Sequence, residues 1–175
     1  NIFPVTEKNL QSAAKLINLG ELVIFPTETV YGIGANGFNS IAVSKIFEAK
    51  KRPTFNPLIL HISDYKMLDL ISNDNNDLIR RITKKYWPGA LTIVLKKNSV
   101  VPDIVTAGNQ TVAVRMPSHP AALRLIELAG VPIAAPSANS FNRLSPTKAK
   151  HISEELSSKV KMILDGGQSE IGVES

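Results

Sequence analysis

The sequence predicts an α/β fold in which a mixed parallel and antiparallel sheet is flanked by helices. Short apolar runs rich in Val, Ile and Phe alternate with stretches of helical periodicity from end to end. Some runs are joined through a helix and others follow one another directly, which suits a mixed rather than a wholly parallel sheet. No repeat, low-complexity tract or linker divides the 175 residues, and 43% hydrophobic content suffices for one core, so residues 1–175 read as a single domain.

Thr6 is placed to cap a helix whose apolar positions Leu10, Ala13, Ala14 and Ile17 recur at helical spacing, with Gly20 to stop it. Leu22 to Phe25 reads as a buried strand. Ser40 opens a second helix through Ile41, Val43, Ile46 and Phe47, which ends in the basic cluster Lys50-Lys51-Arg52 before Pro53. Pro57 to Ile62 is the next strand, and helices are expected over 64–71 and 77–86, the second broken by Trp87-Pro88-Gly89. Leu91 to Leu95 and Thr111 to Met116 are β-rich, and the loop 98–110 between them is placed to flank a cleft. His119 to Ala129 is an amphipathic helix, and Pro132 to Ala135 a short strand running into a Ser/Asn turn. Ser145-Pro146 has the form of an N-cap followed by proline at the first helical position, and Lys161 to Leu164 is the last strand.

Twenty Lys and Arg against fifteen Asp and Glu leave a formal charge of +5, which favours anionic partners such as nucleotides or RNA. The absence of cysteine excludes a disulfide framework, a thiolate metal site and a cysteine nucleophile. Neither a signal segment nor an apolar run long enough to span a membrane is present, so a cytoplasmic location is expected and no membrane partner. The chain opens at Asn1 without methionine and stops at Glu174-Ser175, so flanking residues are expected on both sides.

Three polar signatures each follow an apolar run: PTETVYGIG at 26–34, KKRPTFNP at 50–57 and APSANSFNRLSPT at 135–147. Gly32, Gly34 and the nearby prolines are expected to hold tight turns, while the hydroxyls, amides and cations suit a polyanion carrying a small polar group. Thr27 and Thr29 stand at the end of a buried strand, where ligands gather in open α/β sheets, or else form a polar turn with Tyr31 packed on the core. Gly32 and Gly34 lack the spacing of a dinucleotide fingerprint.

Lys50, Lys51 and Arg52 at a helix end suit the helix dipole, and Arg52-Pro53 with Asn56-Pro57 stiffens a loop able to carry a guanidinium to a phosphate. His61 lies inside an apolar run, the usual place of a core histidine, and its spacing from His119 and His151 suits no zinc site. Arg115 at a strand end is either a fork for a carboxylate or phosphate, or half of a structural salt bridge. Ser137, Asn139 and Ser145 offer short polar side chains, with Ser145 at the head of a helix whose amides could bind an anion.

In this order the segments closely resemble the YrdC-like family of L-threonylcarbamoyladenylate synthases. Beyond the three signatures, the resemblance includes residues 46–50, 56–59, 87–89, 112–117, 119–120, 163–167 and 172–175, and so covers essentially the whole chain. It implies a twisted mixed sheet around a large basic cavity, and a reaction joining L-threonine, bicarbonate or CO2, and ATP into threonylcarbamoyl-AMP and pyrophosphate. A downstream tRNA threonylcarbamoyl transferase machinery would take the product.

By motif position, the resemblance puts Thr29, His61, Arg115, the backbone at Ala135, and Ser175 around L-threonine, with Arg115 clamping the carboxylate. It puts Arg52, Asn56, Thr111, Ser137 and Ser145 on the nucleotide, and Lys50 and Asn139 near the phosphates, with Lys50 and Arg52 in the catalytic role. Mg2+ is the implied helper, held mainly by ATP itself with no protein metal site. Two departures from the family pattern stand out: Phe141-Asn142 replaces the usual Ser-Gly pair, and the chain stops at Ser175 before the family's usual C-terminal continuation. An RNA-binding module is a second reading of the +5 charge, although the aromatic interleaving of base-stacking modules is missing. A third is a fragment of the carbamoyl-adenylate module of hydrogenase-maturation carbamoyltransferases, whose cysteine-rich zinc modules have no counterpart here.

Overall fold

A computed structural model describes residues 1–74, 76–140 and 143–175. Thr6 accepts a hydrogen bond from the amide of Asn9 (3.2 Å) and opens α1 (Glu7–Asn18), whose apolar face of Leu10, Ala13, Ala14 and Ile17 is buried. Gly20, at φ +77°, turns the chain away from the helix end. The edge strand β1 (Ile2–Pro4) precedes α1, while β2 (Val23–Phe25) and β3 (Gly32–Asn36) follow it. Next come α2 (Ser40–Lys50), β4 (Ile59–His61), α3 (Tyr65–Ile71) and α4 (Asp77–Tyr86). The rest of the chain forms β5 (Thr92–Lys96), α5 (Asp103–Thr106), β6 (Thr111–Arg115), α6 (Pro120–Ala129), β7 (Ile133–Ala134), α7 (Glu154–Ser157) and β8 (Met162–Asp165).

The eight strands form one sheet in the order β1-β8-β2-β3-β7-β4-β6-β5. Pairing is parallel for β1 with β8, β8 with β2 and β4 with β6, and antiparallel at the other four junctions. The expected mixed sheet is therefore the observed one. At its centre the register sets His61 beside Arg115 on one side and beside Ile133 on the other. The helix α1 packs along α6, where Asn18 donates to the carbonyl of Ala129 (3.1 Å). None of the described helices is long and apolar enough to cross a membrane.

Three local readings of the sequence need correction. Gly32 and Gly34 lie in a strand rather than in turns: a Cβ on Gly34 would come within 2.7 Å of both Phe25 and Ile133, so close packing explains this glycine. Ser145-Pro146 opens no helix, because the Pro146 carbonyl accepts from Tyr31 (2.8 Å) and the Thr147 carbonyl from Ser169 (2.9 Å), committing that backbone to neighbouring segments. Asn39, not Ser40, caps α2, accepting from the amides of Ile41 and Ala42 at 3.0 and 3.1 Å. The strand β1 and the short α5 inside the 98–110 loop were not foreseen, being only 3 and 4 residues long.

Candidate active site

Strand ends converge on a cavity enclosing about 120 Å3, lined by Thr27, Thr29, Val30, Gly32, Arg52, Pro57, Leu58, Ile59, His61, Arg115, Ala135, Pro136, Ser137, Glu174 and Ser175. Ile59 and His61 stand two apart on β4 and so share a face. With roughly 10–15 Å3 needed per water, the space has room for an amino acid. The segment after β8 narrows it: Ser169 donates its hydroxyl to the Thr27 carbonyl (2.9 Å), and the amides of Ile171 and Gly172 donate to the carbonyls of Glu28 (2.9 Å) and Thr29 (3.0 Å). That strap carries Glu174 and Ser175 to the cavity.

Arg115 closes β6 at the inner end with only 2% of its surface exposed. Its Nε donates to the carbonyl of Gly89 (3.1 Å), Nη1 donates to Thr29 Oγ1 (3.1 Å), and Nη2 stands 2.5 Å from Glu28 Oε1. The last contact is an ion pair without the alignment of a hydrogen bond. Burial would raise the Glu28 carboxyl, but the Arg115 guanidinium outweighs it and holds the group below the usual carboxylate range. The salt-bridge alternative for Arg115 is thus realised, with the arginine at the cavity wall.

Thr27 and Thr29 do different work. Thr27 Oγ1 donates to the Val30 carbonyl (2.6 Å) and accepts from the amides of Thr29 and Val30 (both 3.3 Å), so it builds the turn. Because that proton is spent, the 3.0 Å contact between the two hydroxyls makes Thr29 the donor, and Thr29 Oγ1 accepts from Arg115.

His61 is both a core residue and a cavity wall. It is 4% exposed, meets Phe25 edge-on, and its Nδ1 has no hydrogen-bond partner among the described residues. Burial first, and the nearby Arg115 charge second, push its pKa down to about 3, so the ring is neutral near pH 7 and keeps one uncommitted nitrogen.

The mouth is built from loops. Arg52 follows Lys51, whose φ of +52° turns the chain out of α2; one guanidinium nitrogen donates to the Pro57 carbonyl (3.2 Å) and Nε is unpartnered. Lys50 is 2% exposed and spends its ammonium on the turn after β7, donating to the Ser137 carbonyl (2.5 Å) and to the carbonyl and side-chain oxygen (3.2 Å) of Asn139. Burial and the Arg52 charge push its pKa down to about 8, against a pull upward from Glu174. Lys50 therefore works as a clamp holding Ser137 at the cavity. Ser145 donates to the Glu174 carboxylate at the same mouth.

Of the residues that the sequence singled out, the structure brings Thr29, Arg52, His61, Arg115, Ala135, Ser137 and Ser175 into one wall. Lys50, Asn139 and Ser145 touch that wall from behind. Asn56 and Thr111 do not line the cavity: Thr111 is exposed at the far end of β6, four residues from Arg115 and so about 13 Å along the strand. Phe141-Asn142 lies outside the described residues. Sequence reasoning assigned no role to Glu28 and Glu174. The available signal for Glu28 was a lone carboxylate enclosed by hydroxyls just after a buried strand; for Glu174 there was none.

The Sua5/YciO/YrdC family model, described as telomere recombination, matches residues 15–175. The threonylcarbamoyl-AMP synthase of Pyrococcus abyssi is 50% identical over 171 residues, which is 98% of this chain and 50% of that protein. That of Bacillus subtilis is 49% identical over 170 residues, 97% of this chain and 49% of its own length. The chain therefore spans about half the length of these curated relatives. The crystal structure of P. abyssi Sua5 complexed with L-threonine superimposes with a TM-score of 0.95 at 49% identity, covering 99% of this chain and 51% of that one. A match over nearly the whole chain, spanning every residue that lines the cavity, places it: the chain belongs to the Sua5/YciO/YrdC family.

Proposed function

We propose that this chain forms threonylcarbamoyl-AMP and pyrophosphate from L-threonine, bicarbonate or CO2, and ATP, for a downstream transferase that modifies tRNA. The observation that carries the reading is the meeting, in one cavity, of the buried Arg115 with Thr29 and a neutral His61. Family membership, the named synthases at about half identity and the threonine complex of P. abyssi Sua5 support it.

In this mechanism L-threonine lies at the inner end. Its carboxylate meets the Arg115 guanidinium, while Thr29 and His61 line the cavity beside its other polar groups. The amine captures CO2 as a carbamate, releasing a proton, and a carbamate oxygen attacks the α-phosphorus of ATP as the bond to the departing pyrophosphate breaks. Arg52 at the mouth stands where a triphosphate emerges from the cavity, and the Lys50 clamp keeps Ser137 beside it. No protein nucleophile takes part; the site contributes alignment, charge and exclusion of water. Among the described residues no three His, Cys, Asp or Glu side chains group as a metal site, and the lining holds one carboxylate, Glu174, which fits an ion that arrives on the nucleotide. Bound there, Mg2+ would neutralise phosphate charge. The test is pyrophosphate release with L-threonine, bicarbonate and ATP each omitted in turn: release requires all three, and release indifferent to threonine refutes the proposal.

A further inference from the structure

We propose that Glu28 is a positioning residue for the amino-acid seat: from behind Arg115, it fixes the guanidinium so that its remaining N–H edge faces the cavity. The inference rests on the reading of Arg115 as the carboxylate seat.

Thr27, Thr29 and Val30 line the cavity, and Glu28 within the same turn does not. Its side chain instead meets Arg115 Nη2 at 2.5 Å, with both partners buried, at 6% and 3% side-chain exposure. Gly89 and Thr29 hold the other two guanidinium nitrogens, so three groups from separate parts of the chain fix one plane. Glu28 is itself immobilised, because its carbonyl accepts from the Ile171 amide and Ser169 ties down the Thr27 carbonyl.

Stability alone explains the pair poorly. Desolvating two charges offsets most of what their attraction returns, and a buried ion pair is often replaceable by apolar groups at no cost. What the pair supplies is orientation: an arginine already ordered loses little freedom when a carboxylate arrives, and five donors leave an edge free after three are engaged. With Glu28 behind it the seat is near neutral overall, which suits an amino-acid zwitterion over a plain anion.

The experiment measures L-threonine binding by calorimetry without nucleotide, and threonine and ATP dependence of pyrophosphate release, for the wild type, Glu28→Gln, Glu28→Asp, Arg115→Met and the double variant Glu28→Gln/Arg115→Met. In Glu28→Gln the threonine constants rise about 10- to 100-fold, the scale of a binding group misplaced by about 1 Å, while the ATP constant and kcat at saturating threonine hold. Glu28→Asp recovers most of the loss. In the Arg115→Met background the second substitution changes threonine binding no further. A folded Glu28→Gln protein with unchanged threonine constants, an equal rise in the ATP constant, or additive losses in the double variant overturns the inference. Should Glu28→Gln not fold, the small residual loss in Glu28→Asp decides: it falls on the threonine constants, and a residual loss that falls equally on the ATP constant overturns the inference. A wild type that binds no threonine removes the proposed function and this inference with it; binding that survives unchanged in the variant removes only the role of Glu28.

Discussion

The inner end and the mouth of the cavity each present an arginine, and the two are held in opposite ways. Arg115 rides on a central strand, is almost fully buried and has all three nitrogens engaged. Arg52 sits on a loop, is half-buried, and spends one nitrogen on the Pro57 carbonyl while Nε is bare. A group fixed before its ligand arrives gives geometry; a group free to turn gives reach. The contrast divides the labour of the proposed reaction between a small substrate that must be aligned and a long polyanion that must be followed outward.

The largest effect expected from breaking this contrast is at the inner end. Arg115→Ala leaves Glu28 as an uncompensated buried charge, so urea titration should show a loss of about 3–5 kcal/mol. Any folded fraction should lose threonine dependence more than ATP binding.

Acid should act at the same place. The folded pKa of His61 lies far below its unfolded value of 6.5, so the unfolded chain binds the extra proton between the two. Stability is fully present above 6.5 and falls as pH drops toward 3, by on the order of a few kcal/mol. Denaturant midpoints between pH 7 and 4 read this, and a His61→Asn variant should flatten the slope.

A Cβ at position 34 tests how tightly the sheet beneath the cavity is packed. Gly34→Ala meets Phe25 and Ile133 at 2.7 Å, and overpacking of this kind should cost about 1–3 kcal/mol in melting experiments. The smallest effect on stability belongs to the mouth. Arg52→Ala should shift the unfolding free energy by less than about 1 kcal/mol, as befits a partly exposed side chain, yet raise the ATP requirement of pyrophosphate release. A large loss of stability there would erase the distinction between the two ends.

Much of the site was legible in the chain because its parts are local signatures. Thr29, Ser137 and Arg115 stand at or just past the ends of apolar strand-forming runs, where an α/β sheet collects ligands, and Arg52 stands just past the end of a helix. Where reading failed, long-range partners had overridden local preference. Ser145-Pro146 has the form of a helix start, but hydrogen bonds to Tyr31 and Ser169 take its neighbours' carbonyls. For Lys50 the chain gave no sign of the three acceptors in the turn after β7 that engage its ammonium.

The sequence by itself determined the cap of α1, the apolar faces of α1 and α6, and the breaks at Gly20 and Trp87-Pro88-Gly89, because these depend on contacts within a few residues. It also marked the three polar segments that follow apolar runs. Only the tertiary structure decided what those segments do to one another. Arg115 meets Thr29 across 86 residues and Lys50 meets Ser137 across 87, pairings set by strand order and register rather than by local preference. The same packing makes His61 neutral by removing water from it, and keeps Glu28 charged by setting Arg115 against it in spite of that burial.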